Sequence, residues 1–270
     1  MRSGSANPEI DSMTSNIRHV TFHRSSLLFL GLVLLSLVGA CSGAEEITRT
    51  SPTEERFRQA MAEFEDEDYE EARKLFEAIV LQDPASEVAD DAQYYLAESY
   101  FLDGEYHLAA YAYNRVGSFP NSPFYKLARF KTGESYFFSS GTYDRDQKET
   151  RAAIDHFRAF ALAYAGDSLA TLAQGRVGEL RSKLARRDFE VAEQYGRLDD
   201  PTAALVYYSK VLEEFADTDY FGRAVGGKIV SLCELERATE ARSFADSIVL
   251  ARPDDPGVGP ARTFQTTGCR

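Results

Sequence analysis

The stretch YEEARKLFEAIVLQDP at residues 69–84 decides the fold, because YHLAAYAYNRVGSFP at residues 106–120 repeats its pattern. In both stretches an alanine, Ala72 or Ala109, is followed four residues later by an aromatic residue and seven residues later by an aliphatic one, with a proline at the end. The two alanines are 37 residues apart, a period typical of helical repeat proteins. We therefore predict that the body of the chain is built from repeats.

A small residue also precedes each of these stretches at a corresponding position, Ala60 in the first unit and Ala97 in the second. Two antiparallel helices approach closely only where one of them carries a small side chain opposite a large one on its partner. The alternation of small and aromatic residues is thus typical of tetratricopeptide-type helix pairs.

Three further units follow with modifications. Their markers are Gly133 with Ala153, Ala192 with Ala204, and Ala241 with the bulky Ile229 in place of a small residue. No proline interrupts residues 168–198, which predicts one long helix there, and residues 139–146 form a longer surface loop. No strand-type alternation is present. We predict an all-α fold, a tetratricopeptide-type α-solenoid of about five helix pairs with a long helix joining units three and four.

The N-terminal segment predicts export and lipid attachment. An apolar run from Leu27 to Val38 follows basic residues and is too short to span a bilayer comfortably, which favours a secretory signal over a transmembrane helix. Gly39 and Ala40 precede Cys41, the arrangement that a lipoprotein signal peptidase requires. We expect a covalent lipid on Cys41 and no other cofactor. The true initiator is expected at Met13, because acidic residues precede it.

The predicted organisation follows from these signals. A capping box with proline at the first helical position, Ser51-Pro52-Thr53-Glu54, marks the start of the first unit. The segments are a signal peptide at 1–40, a lipid-anchored polar tether at 41–50, units one to three at 51–167, the long helix with units four and five at 168–253, and a disordered tail at 254–270.

Charge and motifs exclude several classes of function. A net charge of −13 disfavours nonspecific binding of nucleic acid, so we expect no nucleic-acid partner. No cysteine pair or histidine cluster supplies metal ligands, and no catalytic motif is present, which argues against an enzyme. Cys233 lies in a predicted helix, where a buried free thiol is favoured over a disulfide; pairing with Cys269 stays open.

Aromatic residues recur on one face of the first helix in units one to three, at two positions seven residues apart. With the acids between them, they predict a peptide-binding groove of exposed rings formed by Phe57, Phe64, Tyr94, Glu98, Phe101, Phe130, Glu134 and Phe137. The alternative is that these rings only pack adjacent repeats. Loss of the aromatic pair after unit three, where Gly226 and Cys233 occupy the positions in unit five, favours the groove.

A basic cluster distinguishes the second half of the chain. Arg186, Arg187 and Arg197 lie in the predicted long helix of an otherwise acidic protein. Arginines form bidentate pairs with carboxylates, so we predict that these residues dock a partner domain, the alternative being solvated surface charges.

The lipid-attachment cysteine, the order of the repeats, the segment YDRDQ at residues 143–147 and the helix LRSKLARRDFEVAEQY at residues 180–195 together resemble the BamD-type outer-membrane assembly lipoproteins. The resemblance covers about residues 41–253. It implies a lipid-anchored scaffold on the periplasmic face of the outer membrane. Its implied partners are a BamA-type barrel insertase and unfolded outer-membrane β-barrel precursors.

Two other functions fit the same pattern. One is a repeat lipoprotein of the cell-wall or Tol-Pal-type envelope machinery, and the more distant one is an accessory subunit of an envelope enzyme.

Overall fold

A computed structural model describes residues 51–269, and the signal peptide, Cys41 and the tether lie outside this range. Eleven α-helices and one 3-10 helix make up the described residues, which contain no strand. The α-helices are α1 Pro52–Glu65, α2 Tyr69–Gln82, α3 Ala89–Leu102, α4 Tyr106–Val116, α5 Tyr125–Ser139, α6 Lys148–Ala163, α7 Ser168–Arg197, α8 Pro201–Glu214, α9 Tyr220–Glu234, α10 Ala238–Ala251 and α11 Gly259–Thr267. The predicted all-α fold is confirmed.

The helices pair as the repeat pattern predicts, and each pair packs against the next. The marker alanines are fully buried where the helices cross, which allows the backbones to approach closely. They are Ala60, Ala72, Ala97, Ala109, Ala153, Ala192, Ala204 and Ala241. In unit three Gly133 has this role, because a Cβ there would lie 2.9 Å from the ring of Phe157. The capping box at Ser51 is present, with both of its reciprocal hydrogen bonds.

The first helices of successive units contact one another through aromatic side chains. Phe64 of α1 contacts Tyr95 of α3 with ring centroids 5.4 Å apart, and Phe101 of α3 contacts Phe138 of α5 at 5.6 Å. Phe189 of α7 contacts Tyr220 of α9 at 5.5 Å. Between α5 and α7, the guanidinium of Arg176 lies 4.3 Å from the centroid of the Phe137 ring.

The long helix α7 runs for 30 residues and joins units three and four, as predicted. The side chain of Asp167 accepts a hydrogen bond from the backbone N–H of Leu169 and caps its start. Its middle holds the loop 140–147, because the Lys183 ammonium donates to Ser140 Oγ at 2.7 Å and to the carbonyl of Gly141 at 3.0 Å. The predicted loop is therefore present, shifted by one residue.

The expectation of a disordered tail at 254–270 is wrong for the part that the structure describes. A 3-10 helix at Pro256–Val258 leads into α11, and three apolar residues three positions apart, Val258, Ala261 and Phe264, are buried against unit five. Apolar residues at that spacing share one helix face, so the tail covers an otherwise exposed end of the core.

The favoured free thiol at Cys233 is also wrong, because Cys233 forms a disulfide with Cys269, just beyond the end of α11. Unit five nevertheless keeps its first helix, since Ile229 is buried in the cluster that α11 completes. Among the helices of residues 51–269, none has both the length and the apolarity that crossing a bilayer requires.

Candidate peptide-binding surface

The aromatic residues predicted to line a groove are less exposed than expected. Tyr94 and Phe130 are only 6% and 3% exposed, so the expectation of exposed rings is wrong for both. Tyr94 stacks on Phe124 with centroids 4.1 Å apart, and Phe130 packs on Phe157 and Phe160. The other four rings, Phe57, Phe64, Phe101 and Phe137, are partly buried.

The partly buried rings also contact the neighbouring repeat. Phe57 and Phe64 both meet Tyr95 of unit two, and Phe101 meets Phe138 of unit three. Much of the stripe therefore packs one unit on the next, which supports the alternative interpretation for these contacts. Peptide binding by the stripe stays a prediction.

Glu98 is the centre of a polar network on α3. The hydroxyls of Tyr94 and Tyr113 each donate a hydrogen bond of 2.7 Å to the same oxygen, Glu98 Oε1. Burial, together with the nearby Glu98 carboxylate, raises the pKa of both tyrosines well above the usual value. Both hydroxyls therefore stay protonated and act as donors, and they fix the position of the carboxylate.

Lys131 on α5 continues this network toward the next unit. Its ammonium lies 4.0 Å from Glu98 and 3.4 Å from Glu134, and 4.3 Å from the centroid of the Phe101 ring. Two carboxylates thus surround one ammonium, so the formal charge of the three groups is −1. All three side chains are only partly exposed, where water screens charge less than at the open surface.

Two exposed apolar side chains lie close to the network in the chain. Phe138 is 47% exposed and follows Phe137 on α5; Leu102 is 50% exposed and ends α3. Phe138 also stacks on Tyr106, with centroids 5.5 Å apart. We call the set Glu98, Phe101, Leu102, Lys131, Glu134 and Phe138 the acidic–aromatic surface. An exposed apolar residue beside half-buried charges is the kind of surface that binds peptides.

Sequence reasoning identified part of this surface and missed the rest. It named Glu98, Phe101 and Glu134 but not Lys131, and it missed the exposed apolar side chains of Leu102 and Phe138. Leu102 and Phe138 each follow a stripe residue directly, so the same register advanced by one position identifies both.

Unit four repeats the carboxylate–tyrosine pair. The Tyr208 hydroxyl donates to Glu193, and these residues are 15 positions apart, as are Glu98 and Tyr113. Burial raises the pKa of Tyr208 above its usual value, so this hydroxyl is also a donor. The pair was not predicted, although Glu193 follows the marker Ala192 just as Glu98 follows Ala97.

The three arginines predicted to dock a partner are exposed on α7. Arg186 lies over the ring of Tyr143, 4.1 Å from its centroid, and so also covers the loop 140–147. Arg187 lies 3.8 Å from the buried Asp188, whose main partner is the Lys210 ammonium at 2.9 Å. Arg197 makes no ion pair within residues 51–269. The docking role of all three stays a prediction.

No group of three or more histidine, cysteine, aspartate or glutamate side chains in the described part of the chain is placed to hold a metal ion.

Comparison with known proteins identifies the family. The family model described as "YfiO: Outer membrane lipoprotein" matches residues 49–242. A protein of Rickettsia prowazekii (strain Madrid E), outer membrane protein assembly factor BamD, is 22% identical over 222 residues, 82% of this chain and 87% of that protein. The outer membrane protein assembly factor BamD of Neisseria meningitidis serogroup B is 25% identical over 204 residues, 71% of this chain and 76% of that protein.

A solved structure, the TPR2AB domain of yeast Sti1 in a complex with pHSP90, is 13% identical with a TM-score of 0.42, over 80% of this chain and 83% of that one. The match of the family model covers most of the repeats that build the fold, from the start of α1 into α10. The chain therefore belongs to the YfiO family of outer membrane lipoproteins.

Proposed function

We propose that this protein is a lipid-anchored scaffold that assists the assembly of outer-membrane proteins. The membership of the family and the relatives that carry the name assembly factor support this role. The anchor is a lipid on Cys41, so that the solenoid lies on the periplasmic face of the outer membrane. A solenoid suits a scaffold because its extended surface contacts several partners at once.

The acidic–aromatic surface binds extended segments of unfolded β-barrel precursors. The observation that carries this step is the exposed ring of Phe138, which contacts Phe101, the ring next to the Lys131 ammonium of the network. An aromatic side chain of the client stacks on Phe138, and burying such a ring stabilises a complex by about 1.5–3 kcal/mol. The fixed carboxylates accept hydrogen bonds from donors of the client, and they favour segments that carry basic residues.

The exposed arginines of α7 dock the solenoid on a BamA-type barrel insertase. Arg197 is the most available of the three, because Arg186 covers Tyr143 and Arg187 lies beside Asp188. Bidentate pairs with carboxylates of the insertase give this contact its geometry.

The two binding functions are separable, and one experiment tests both. We expect Phe138→Ala to raise the Kd for an aromatic barrel peptide roughly 10-fold, the effect of about 1.4 kcal/mol, and to leave copurification with the insertase unchanged. Arg197→Glu is expected to have the opposite pattern. Tyr111→Ala is the matched control, since it removes a ring that is 65% exposed on α4, outside the acidic–aromatic surface.

Equal weakening of peptide binding by Phe138→Ala and Tyr111→Ala would contradict the assigned surface. If Phe138→Ala and Arg197→Glu each impaired both activities in folded protein, the division along the solenoid would be wrong.

A further inference from the structure

The end of the solenoid is closed by α11, a helix that is weak in isolation. It has nine residues, starts with Gly259 and Pro260, and contains three threonines. Isolated helices of this length are marginal in water, and glycine and threonine are poor helix formers. No side chain caps its N-terminus. Its stability must therefore come from contacts with unit five.

Those contacts are polar as well as apolar, because Arg242 donates to the carbonyl of Gln265 at 2.7 Å and the Gln265 amide donates to Asp246 at 2.7 Å. The buried side chains are Val258, Ala261 and Phe264. Between α9 and α11 lies a solvent-open cleft of about 720 Å³, lined mainly by apolar groups such as Ile229 and Val230. The side chains of Val258, Ala261 and Phe264 belong to the buried cluster of unit five, and the disulfide adds a covalent restraint to that packing.

Both cysteines of the disulfide line this cleft. Cys233 is in the last turn of α9, and Cys269 lies two residues beyond the end of α11. The bond joins residues 36 positions apart, and this separation includes all of α10 and α11. Cys269 is exposed and Cys233 is partly exposed, so a dissolved thiol has access to the bond.

Contacts with the segment 259–269 explain why unit five carries no aromatic rings at the two positions of the stripe. Gly226 and Cys233 occupy the places that carry rings in units one to three. A Cβ on Gly226 would lie 3.5 Å from Pro260 of α11, and Cys233 is bonded to Cys269. At one of the two stripe positions, unit five thus carries a covalent link to the C-terminal segment instead of a ring.

We infer that the Cys233–Cys269 disulfide is a redox latch, which holds α11 closed on unit five and releases it on reduction. A dithiol reductant supplies two electrons and two protons, the S–S bond breaks to give two thiols, and the reductant becomes a disulfide. Release of α11 uncovers the apolar side chains of Phe221, Val225 and Ile229, which are buried in the oxidised protein.

Hydrogen exchange of the full mature chain, with and without a dithiol reductant, tests the latch. We expect the backbone amides of α11 to exchange on the order of 100-fold faster after reduction. The disulfide closes the chain between Cys233 and Cys269 into a loop, and without it the state in which α11 is detached gains conformational entropy. Amides of α3 and α5 serve as the internal control and keep their protection. Reoxidation restores the protection of α11, and alkylation labels both cysteines only after reduction.

Cys269→Ser gives the same result without a reductant, which guards against effects of the reductant elsewhere. Unchanged protection of α11 after complete reduction would overturn the inference, because packing would then suffice. Loss of protection in α3, α5 and α11 together would also overturn it, because the bond would then support the whole fold and would not control one helix.

Discussion

The same substitution at two helical glycines, Gly227→Ala and Gly175→Ala, is expected to change stability in opposite directions. Both residues lie inside helices, where alanine is favoured over glycine by about 0.5–1 kcal/mol. A Cβ on Gly175 would meet nothing within 4 Å, whereas a Cβ on Gly227 would lie 2.4 Å from ring atoms of Tyr208. The backbone gain is therefore common to both variants, and only Gly227→Ala adds a clash.

The ring of Tyr208 has little freedom to move away. It is buried, its hydroxyl donates to Glu193, and a contact of ordinary length requires a shift of more than about 1 Å. Overpacking of this kind costs about 1–3 kcal/mol. We therefore expect Gly227→Ala to destabilise the protein by up to about 2.5 kcal/mol after the backbone gain, and Gly175→Ala to stabilise it by about 0.5–1 kcal/mol.

Urea denaturation of the unlipidated chain, with its disulfide intact, measures both free energies of unfolding. In a thermal melt each kcal/mol corresponds to about 2–4 °C for a domain of this size. Shifts of the same sign and size for the two variants would refute the reasoning, because helix propensity alone would then decide the effect and the contact with Tyr208 would carry no cost.

Two further predictions concern pH and location. Burial lowers the pKa of His156, which stacks on Tyr136, so the unfolded chain binds a proton first as the pH falls. The stabilisation from the neutral ring is complete above about pH 6.5 and is lost as the pH falls below it. His156→Phe should therefore flatten this part of a stability–pH curve. Cys41→Ala is expected to give a folded but mislocalised protein, and fractionation that finds the variant still in the outer membrane would contradict lipid anchoring there.

Local pattern was sufficient to predict the repeats. The spacing of Ala72 and Ala109 predicted the helix pairs because a crossing point needs a small residue whatever surrounds it. The capping box at Ser51 and the absence of proline along α7 are likewise properties of a few neighbouring residues. Such local signals can be recognised in a single sequence.

Contacts between distant residues were harder to predict. The hydrogen bond from the Tyr113 hydroxyl to Glu98 joins two helices, and the residue pattern of either helix alone does not indicate it. The prediction of a disordered tail was wrong for a different reason. Its glycines and prolines suggested disorder, but a few apolar residues, such as Phe264, pack against unit five and order the segment. The glycine and proline content of the tail was therefore given more weight than the helical spacing of its apolar residues.

The long helix α7 has a consequence for how the chain folds. In a solenoid each repeat contacts only its neighbours, so folding generally spreads from one unit to the next. Here the apolar face of α7, with Leu180 and Phe189, belongs to one buried cluster that includes Phe157 of unit three and Tyr208 of unit four. Opening either unit exposes that face. Units three and four should therefore fold as a single nucleus, from which order spreads outward, and unit one should be the first part of the repeat array to fray.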